Sequence, residues 1–188
     1  MKTSTKIIAV IVIFVSIIGG YTIATYNSLT TAKVQVDTQF AKIDTEMQRR
    51  QDMYQPIVDI IEKAVGHENE AIKAVADARA KMSGATTIND KIDANNQYNT
   101  ALGRLLVVQE NYPNLKANDQ LRDFQVQVEG TENRLSVARK DYNAVVATYN
   151  TKVQRFPGNL VAKTFGFDSV KLFEADQSAK QVPKLNFK

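Results

Sequence analysis

Few side chains in this sequence are of the types that carry out catalysis or bind transition metals. It contains no cysteine and one histidine, His67. Ala71 stands four positions after His67, where a zinc-protease helix would carry its second histidine, and a helical di-iron site would need two Glu-x-x-His pairs. Carboxylates alone remain as cation ligands, of which Glu129 and Glu132 lie one helical turn apart. We therefore expect no catalytic residue, no cofactor and no metal site, and a surface or helix-start position for His67.

Two arginines at otherwise apolar positions are more informative. Arg50 and Arg79 each fall on a helical stripe whose other members are mostly apolar. A guanidinium there must either extend to solvent along its aliphatic stem or pair with a carboxylate, because an unpaired buried charge is costly. The candidate partners are Glu132, Glu129 and Glu110. We expect Arg50 to pair with a carboxylate of the last long helix, and Arg50, Arg79 and Glu132 to form a structural polar layer that fixes the helix register.

Tyr-Asn pairs recur along the chain, beginning at Tyr26, Tyr98, Tyr142 and Tyr149. The last two tyrosines are seven residues apart, which places them on one face of a helix. Core tyrosines that reach nearby polar groups would explain these pairs without a ligand.

The elements that would position these residues are helices. Apolar side chains recur at alternating steps of three and four residues, which is typical of helical bundles and coiled coils. One such stripe consists of Val36, Phe40, Ile43, Met47, Arg50, Tyr54, Ile57, Ile61 and Ala64. A second consists of Leu121, Phe124, Val128, Thr131, Leu135, Ala138, Tyr142, Val145 and Tyr149. These two seams are expected to face one another.

Glycines and prolines divide the helical pattern. Four helices are predicted, separated at Gly66, Gly84 and Pro113. The fourth would begin with Asn118 as its cap and end before Pro157. We place the helices at about 28–65, 67–83, 88–111 and 118–155. If Gly66 is merely tolerated, the first two helices fuse. Pro56 predicts a kink in the first helix.

An apolar run precedes the first predicted helix. At most it covers residues 7–24, which as a helix would extend about 27 Å, just short of a hydrocarbon core of about 30 Å. Lys2 and Lys6 precede the run and the next basic residue is Lys33, so the positive-inside rule predicts a cytoplasmic N-terminus. The expected anchor residues are Ile7, Ile8, Val10, Ile11, Val12, Ile13, Phe14, Val15, Ile17 and Ile18.

A secretory signal peptide that is removed by cleavage after this run is the competing interpretation. Thr22-Ile23-Ala24 resembles the small-x-small site of a secretory signal peptide. We expect an uncleaved signal-anchor, since Tyr21 and Ile23 prolong the apolar stretch. Either interpretation exports the rest of the chain.

The charge of the chain does not favour nucleic-acid binding. Its formal net charge is +4, and two of the basic residues are Lys2 and Lys6 before the apolar run. The remaining surplus is too small to form a basic nucleic-acid surface.

Five stretches of the sequence form a distinctive combination of motifs: IDTEMQRRQDMYQPIV (43–58), ENYPNLKAN (110–118), EGTENRLSVARKDYN (129–143), YNTKVQRFPGNLVAKTFGF (149–167) and Val182-Pro183-Lys184. Together they resemble the LemA family of bacterial membrane proteins. The resemblance implies one N-terminal transmembrane helix and an extracytoplasmic antiparallel four-helix bundle, in a family whose biochemical activity is largely undefined. Gln55 and Pro56 depart from the family pattern, which has proline and asparagine at these places.

These observations together predict an all-α fold, with an N-terminal transmembrane helix followed by an antiparallel (up-and-down) four-helix bundle. The expected parts are an anchor (1–24), an extracytoplasmic bundle (25–156) and an aromatic tail (157–188). In such a bundle the tail returns to the anchored end, where it would cap the bundle or dip into the membrane interface. The tail residues concerned are Phe156, Leu160, Val161, Phe165 and Phe167.

For function, the sequence favours a non-enzymatic interaction module or scaffold at the bacterial cell envelope, single-pass in the cytoplasmic (inner) membrane. Its expected partners are the membrane and other envelope proteins or a second copy of the chain, with no nucleic acid and no known small-molecule substrate. A ligand- or lipid-sensing envelope protein is the alternative.

Overall fold

A computed structural model describes residues 3–66, 69–110 and 119–174 of the chain. Within these ranges it contains five helices and no strand, which confirms the all-α expectation for this part of the chain. The helices are α1 (Thr3–Val65), α2 (Glu70–Gly84), α3 (Ile88–Glu110), α4 (Asp119–Gln154) and α5 (Gly158–Phe165). Residues 167–174, which follow α5 without helical structure, are called the strap below.

The most marked departure from the predicted boundaries is the length of α1. It joins the apolar run and the first predicted helix into one helix of 63 residues, so the start expected near residue 28 is wrong. The change from apolar to polar residues does not interrupt a helix, because the backbone bonds continue through it. Thr22 even hydrogen-bonds within the helix, from its Oγ1 to the carbonyl of Ile18 at 2.8 Å.

Gly66 ends α1, as the sequence predicts. Its φ of +87° lies in the left-handed region, which glycine adopts without the steric cost of a Cβ. Its N–H donates to the carbonyl of Glu62 at 2.8 Å. Asn69 then caps α2, accepting from the N–H of Ala71 at 3.0 Å. The first two predicted helices are therefore separate.

Some predicted features lie outside the described residues: His67, the Tyr112-Pro113 break, the Asn118 cap and residues 175–188 of the tail. Pro56 lies inside α1, which continues through it as one helix. The kink at Pro56 stays a prediction.

The two predicted seams form much of the core. Every position of the first is buried except Ala64, which is exposed at the end of α1. In α4, Thr131, Leu135 and Tyr142 are buried as predicted, whereas Val146 rather than Val145 is fully buried. The pattern located the buried face to within one residue.

The core has two clusters stacked along α1. One packs the middle of α1, from Leu29 to Met47, against α4, α5 and the strap. The other packs the last part of α1, from Tyr54 to Ile61, against α2 and α3. Contacts between α1 and α4 run in opposite chain directions: Ser28 meets Lys152 near one end and Tyr54 packs on Phe124 near the other.

Candidate functional site

Arg50 lies at the centre of a buried polar group in the middle of the fold. Arg50 is only 8% exposed, and its Nε lies 2.5 Å from Oε1 of Glu132 on α4. Its Nη1 also donates to Oδ1 of Asn99 on α3. The guanidinium lies over the rings of Tyr54 and Tyr98, 5.6 and 5.9 Å from their centroids. We call these five residues the Arg50 cluster.

The two tyrosines of the Arg50 cluster are held neutral. Burial raises the pKa of Tyr98 to about 12, against a smaller lowering by the nearby positive charge of Arg50. Burial likewise raises the pKa of Tyr54. Both phenols therefore stay protonated far above neutral pH, and they serve the arginine as aromatic walls rather than as acids or bases.

Arg79 is placed at the edge of this group. Its Nη1 donates to Oε1 of Gln55, which joins α2 to α1. Its charge also lowers the pKa of Tyr98, so Tyr98 feels both arginines. The structure thus brings Arg50 and Glu132 into direct contact and leaves Arg79 outside that pair. The side chains of Glu129 and Glu110 are not among those described.

A second arrangement, on α4, explains the last two Tyr-Asn pairs. The amide of Asn150 donates to the carbonyl of Val170 at 2.8 Å and accepts from its N–H at 2.9 Å. Asn143 makes the same two contacts with Phe173, at 2.8 and 2.9 Å. Each asparagine thereby satisfies both backbone polar groups of one strap residue, as a neighbouring β-strand would.

The adjacent tyrosines extend this pattern. The hydroxyl of Tyr149 donates to the carbonyl of Asp168, and that of Tyr142 to the carbonyl of Lys171, each at 3.0 Å. Seven helical residues rise about 10.5 Å, and three extended residues span about 10 Å. The seven-residue repeat of Tyr-Asn therefore matches a three-residue repeat of the strap, which runs against the direction of α4. We call Tyr142, Asn143, Tyr149 and Asn150 the Tyr-Asn track.

The predicted tail residues lie beside the apolar start of α1. Phe165 and Phe167 pack edge-to-face on Tyr26, with ring centroids 5.1 and 5.6 Å apart, and Val161 is buried. Phe156 and Leu160 point away from the core and are 74% and 60% exposed. Residues 161–167 of the tail thus lie against the end of the predicted anchor.

The predicted anchor residues themselves are exposed along the first part of α1. Of the described helices, α1 alone is long and apolar enough to cross a membrane, and none of its most apolar window is buried. In the described ranges, no three acidic or histidine side chains are grouped so that they could hold a metal ion.

Comparison with known proteins fixes the family. A sequence model described as the LemA family matches residues 39–187. The chain belongs to the LemA family. Protein LemA of Metamycoplasma hominis is 22% identical over 152 residues, covering 80% of this chain and 69% of that protein.

Two other relatives of this LemA-family chain are magnetosome proteins. Magnetosome protein MamQ 2 of Paramagnetospirillum magneticum is 32% identical over 83 residues, and magnetosome protein MamQ of Magnetospirillum gryphiswaldense is 30% identical over 82 residues. Each match covers 44% of this chain and 30% of the relative. The chain therefore spans less than a third of the length of these two proteins.

The range matched by the LemA model includes the Arg50 cluster, the Tyr-Asn track and α5. It begins after the apolar run at residues 7–18. The match therefore covers both sites and most of the packed core, but not the apolar run or the core residues Leu29, Ala32 and Val36.

Sequence reasoning missed the amide partners of these sites. Asn99 was visible only as the second residue of a Tyr-Asn pair, and it accepts from Arg50. Asn143 and Asn150 stood behind tyrosines on the same stripe. Their seven-residue spacing was the available signal, but their partners are backbone groups of a segment without any periodic pattern.

Proposed function

We propose that this LemA-family chain is a membrane-anchored, non-enzymatic interaction module or scaffold of the bacterial cell envelope. Residues 7–24 of α1 would cross the cytoplasmic membrane, with the N-terminus in the cytoplasm. The observation that carries the proposal is the unbroken course of α1 from an exposed apolar run into the packed core. Such a helix holds the folded part at a fixed position relative to the membrane.

The four long helices would form an antiparallel bundle on the outer side of that membrane. The opposed pairing of α1 with α4 supports this arrangement, as does the packing of α2 on α3. The orientation is supported by Lys2 and Lys6 before the span and the absence of basic residues from there to Lys33.

A non-enzymatic role is supported by the way the buried polar groups are used. Arg50 is engaged by Glu132 and Asn99, and the Tyr-Asn track is engaged by the strap. These groups hold helices and chain segments together. The outer faces of the long helices remain as contact surfaces for envelope proteins or for a second copy of the chain.

Topology can be tested with single cysteines, because the natural sequence has none. Ser136→Cys lies at an exposed position of α4, and Ser4→Cys lies before the proposed span. A membrane-impermeant maleimide added to intact spheroplasts should label the first and not the second. Labelling of Ser4→Cys alone would refute the orientation, and an intact mass showing a mature N-terminus at Thr25 would refute the anchor.

The interaction role can be tested by photo-crosslinking in cells. A photoreactive residue at Val137, which is exposed on α4, should give reproducible crosslinks to one or a few envelope proteins or to a second copy. The same residue at Leu135, buried two positions away, is the matched control. Equal crosslinking from both positions would contradict a specific contact surface on α4. Reproducible turnover of a substrate would contradict the non-enzymatic role.

A lipid-sensing envelope protein is a second candidate. One observation favours it, namely an apolar groove between α1 and α5 beside the proposed span.

A further inference from the structure

Exposed large apolar side chains of the folded part gather around α5. Phe156, Leu160 and Phe165 are all more than half exposed, although they lie within ten residues of one another. Elsewhere between Leu29 and Glu174, the exposed large apolar side chains of the described residues are dispersed, at Val34, Leu106, Val107, Val137 and Leu172. A group of this kind on a protein surface indicates an interaction site.

The outward face of α5 continues the apolar surface of α1. A groove of about 580 Å³ separates the two helices, lined by Ile17, Ile18 and Tyr21 on one side and by Leu160, Val161 and Phe165 on the other. At its other end α5 begins close to Thr25, whose Cγ2 would lie 3.7 Å from a Cβ added at Gly158. Because Phe165 at the end of α5 also packs on Tyr26, the contacts of α5 on α1 cover residues 17–26.

The apolar run alone is too short to span the hydrocarbon core of a membrane, and α5 lies beside the residues that follow this run. Residues 7–18 extend about 18 Å, and a hydrocarbon core of about 30 Å takes about 20 helical residues. The outer part of the bilayer must then surround residues 19–24, where Thr22 interrupts the apolar sequence. The apolar side chains of α5 lie at that level and would replace the missing apolar surface.

A basic groove adjoins the apolar one on the side away from the proposed span. It has a volume of about 500 Å³, shares Tyr21 and Pro157 with the apolar groove, and is lined by Lys152 and Arg155. Lys152 Nζ donates to Oγ of Ser28 at 3.1 Å. In the described part of the chain, no acidic side chain pairs with Lys152 or Arg155.

The order of the two grooves matches the order of groups in a phospholipid. The apolar groove lies at residues 17–22 of α1, and the basic groove reaches Ser28, one to two turns closer to the aqueous side. Lysine and arginine at the membrane surface bind lipid phosphates, and their charge favours anionic headgroups.

We propose that the grooves between α1, α4 and α5 bind an anionic phospholipid of the outer leaflet of the cytoplasmic membrane. One acyl chain lies between Ile18, Leu160 and Phe165, and the phosphate lies at Lys152 and Arg155. α5 is thereby seated in the bilayer beside the span. The inference rests on the proposed membrane anchoring by α1.

The depth of α5 is tested with the full chain in phospholipid nanodiscs. An environment-sensitive dye on Thr164→Cys, which lines the apolar groove, should be quenched by lipids that carry spin labels on their acyl chains. A dye on Ile11→Cys reports the span itself, and one on Ser136→Cys on α4 should not be quenched. Quenching at Ile11→Cys without quenching at Thr164→Cys overturns the lipid site and leaves the anchor intact. Absence of quenching at both positions refutes the anchor as well.

The headgroup site is tested by native mass spectrometry of the detergent-solubilised full chain with added phosphatidylglycerol or phosphatidylcholine. The chain should bind phosphatidylglycerol more tightly. The variant with Lys152→Gln and Arg155→Gln should bind it about 30-fold more weakly, since each basic residue near an anionic lipid contributes about 1 kcal/mol. The matched variant with Arg49→Gln and Lys140→Gln, both at exposed positions, should bind it as the natural chain does. Equal binding by all three proteins, or no preference for the anionic lipid, overturns the site.

Discussion

Replacement of Arg50 by alanine should destabilise the fold more than any change to a neighbouring charged residue. Arg50→Ala removes the ion pair with Glu132, the hydrogen bond to Asn99 and the stacking on two tyrosine rings at once. It also leaves the volume of the arginine stem empty between α1, α3 and α4. The loss therefore combines electrostatic and packing contributions.

The expected magnitude follows from these contacts. A hydrogen bond that involves a charged group contributes about 1.5–3 kcal/mol, and stacking on a desolvated aromatic ring contributes about 0.5–2 kcal/mol. The Glu132 side chain is 37% exposed, but its Oε1, which faces Arg50, is buried, so water reaches only part of the carboxylate left behind. We therefore expect Arg50→Ala to cost about 3–5 kcal/mol, which is the range for breaking a buried pair. Glu132→Gln keeps an oxygen acceptor for Arg50 and should cost about 1 kcal/mol.

The measurement is urea unfolding of the full chain in a non-ionic detergent, followed by far-ultraviolet circular dichroism. Arg49→Ala is the matched control, because Arg49 is exposed and one position off the buried stripe. It should cost under about 1 kcal/mol. Equally small losses for Arg49→Ala and Arg50→Ala would refute the reasoning, since they would mean that Arg50 is solvated.

Three further predictions concern other parts of the fold. Burial raises the pKa of Tyr98 from 10.0 to about 12, so the free energy of unfolding that Tyr98 contributes is complete below pH 10 and falls by about 1.4 kcal/mol per pH unit between pH 10 and 12. Tyr98→Phe should reduce the pH dependence of the free energy of unfolding by this amount, while the dependence due to Tyr54, Tyr142 and Tyr149 remains; an unchanged pH dependence would contradict the burial of the Tyr98 hydroxyl. Asn150→Ala removes two hydrogen bonds to the strap, so trypsin should cleave the strap about tenfold faster than in the control Asn96→Ala, and equal rates would contradict the Tyr-Asn track. Thermal unfolding should show that Gly66→Ala, at positive φ, lowers stability by about 1 kcal/mol, whereas Gly103→Ala, inside α3 with open space around it, raises stability by about 0.5–1 kcal/mol.

The helices and their buried faces could be predicted because they depend on local periodicity. Gly66 was recognisable as a helix end for the same reason, since the left-handed conformation it adopts is a property of glycine itself. The continuity of α1 was missed because polarity and helicity were treated as changing together near residue 28. Backbone hydrogen bonds extend through such a change unless a residue breaks them.

The candidate sites could likewise be predicted only in part. Arg50 could be singled out because a charge on an apolar stripe requires a partner. Which of the three candidate carboxylates pairs with Arg50 depends on the register between α1 and α4, and the sequence pattern of one helix does not determine that register. The role of Asn143 and Asn150 depends on a segment that returns from beyond α5, and a non-periodic strap leaves no pattern from which its contacts could be inferred.

Because α1 is unbroken, a change in the tilt of the proposed membrane span also moves the far end of the helix. From Ala24 to Val65 the helix contains about 40 residues and extends about 60 Å beyond the bilayer. Spanning helices adopt tilts of about 0–40°, which respond to the thickness of the surrounding lipid. With no hinge segment between the span and the folded part, a change of about 10° in tilt moves the end at Val65 sideways by about 10 Å. Variation in bilayer thickness would thus become a displacement far from the lipid, large enough to move a contact face toward or away from a partner in the envelope.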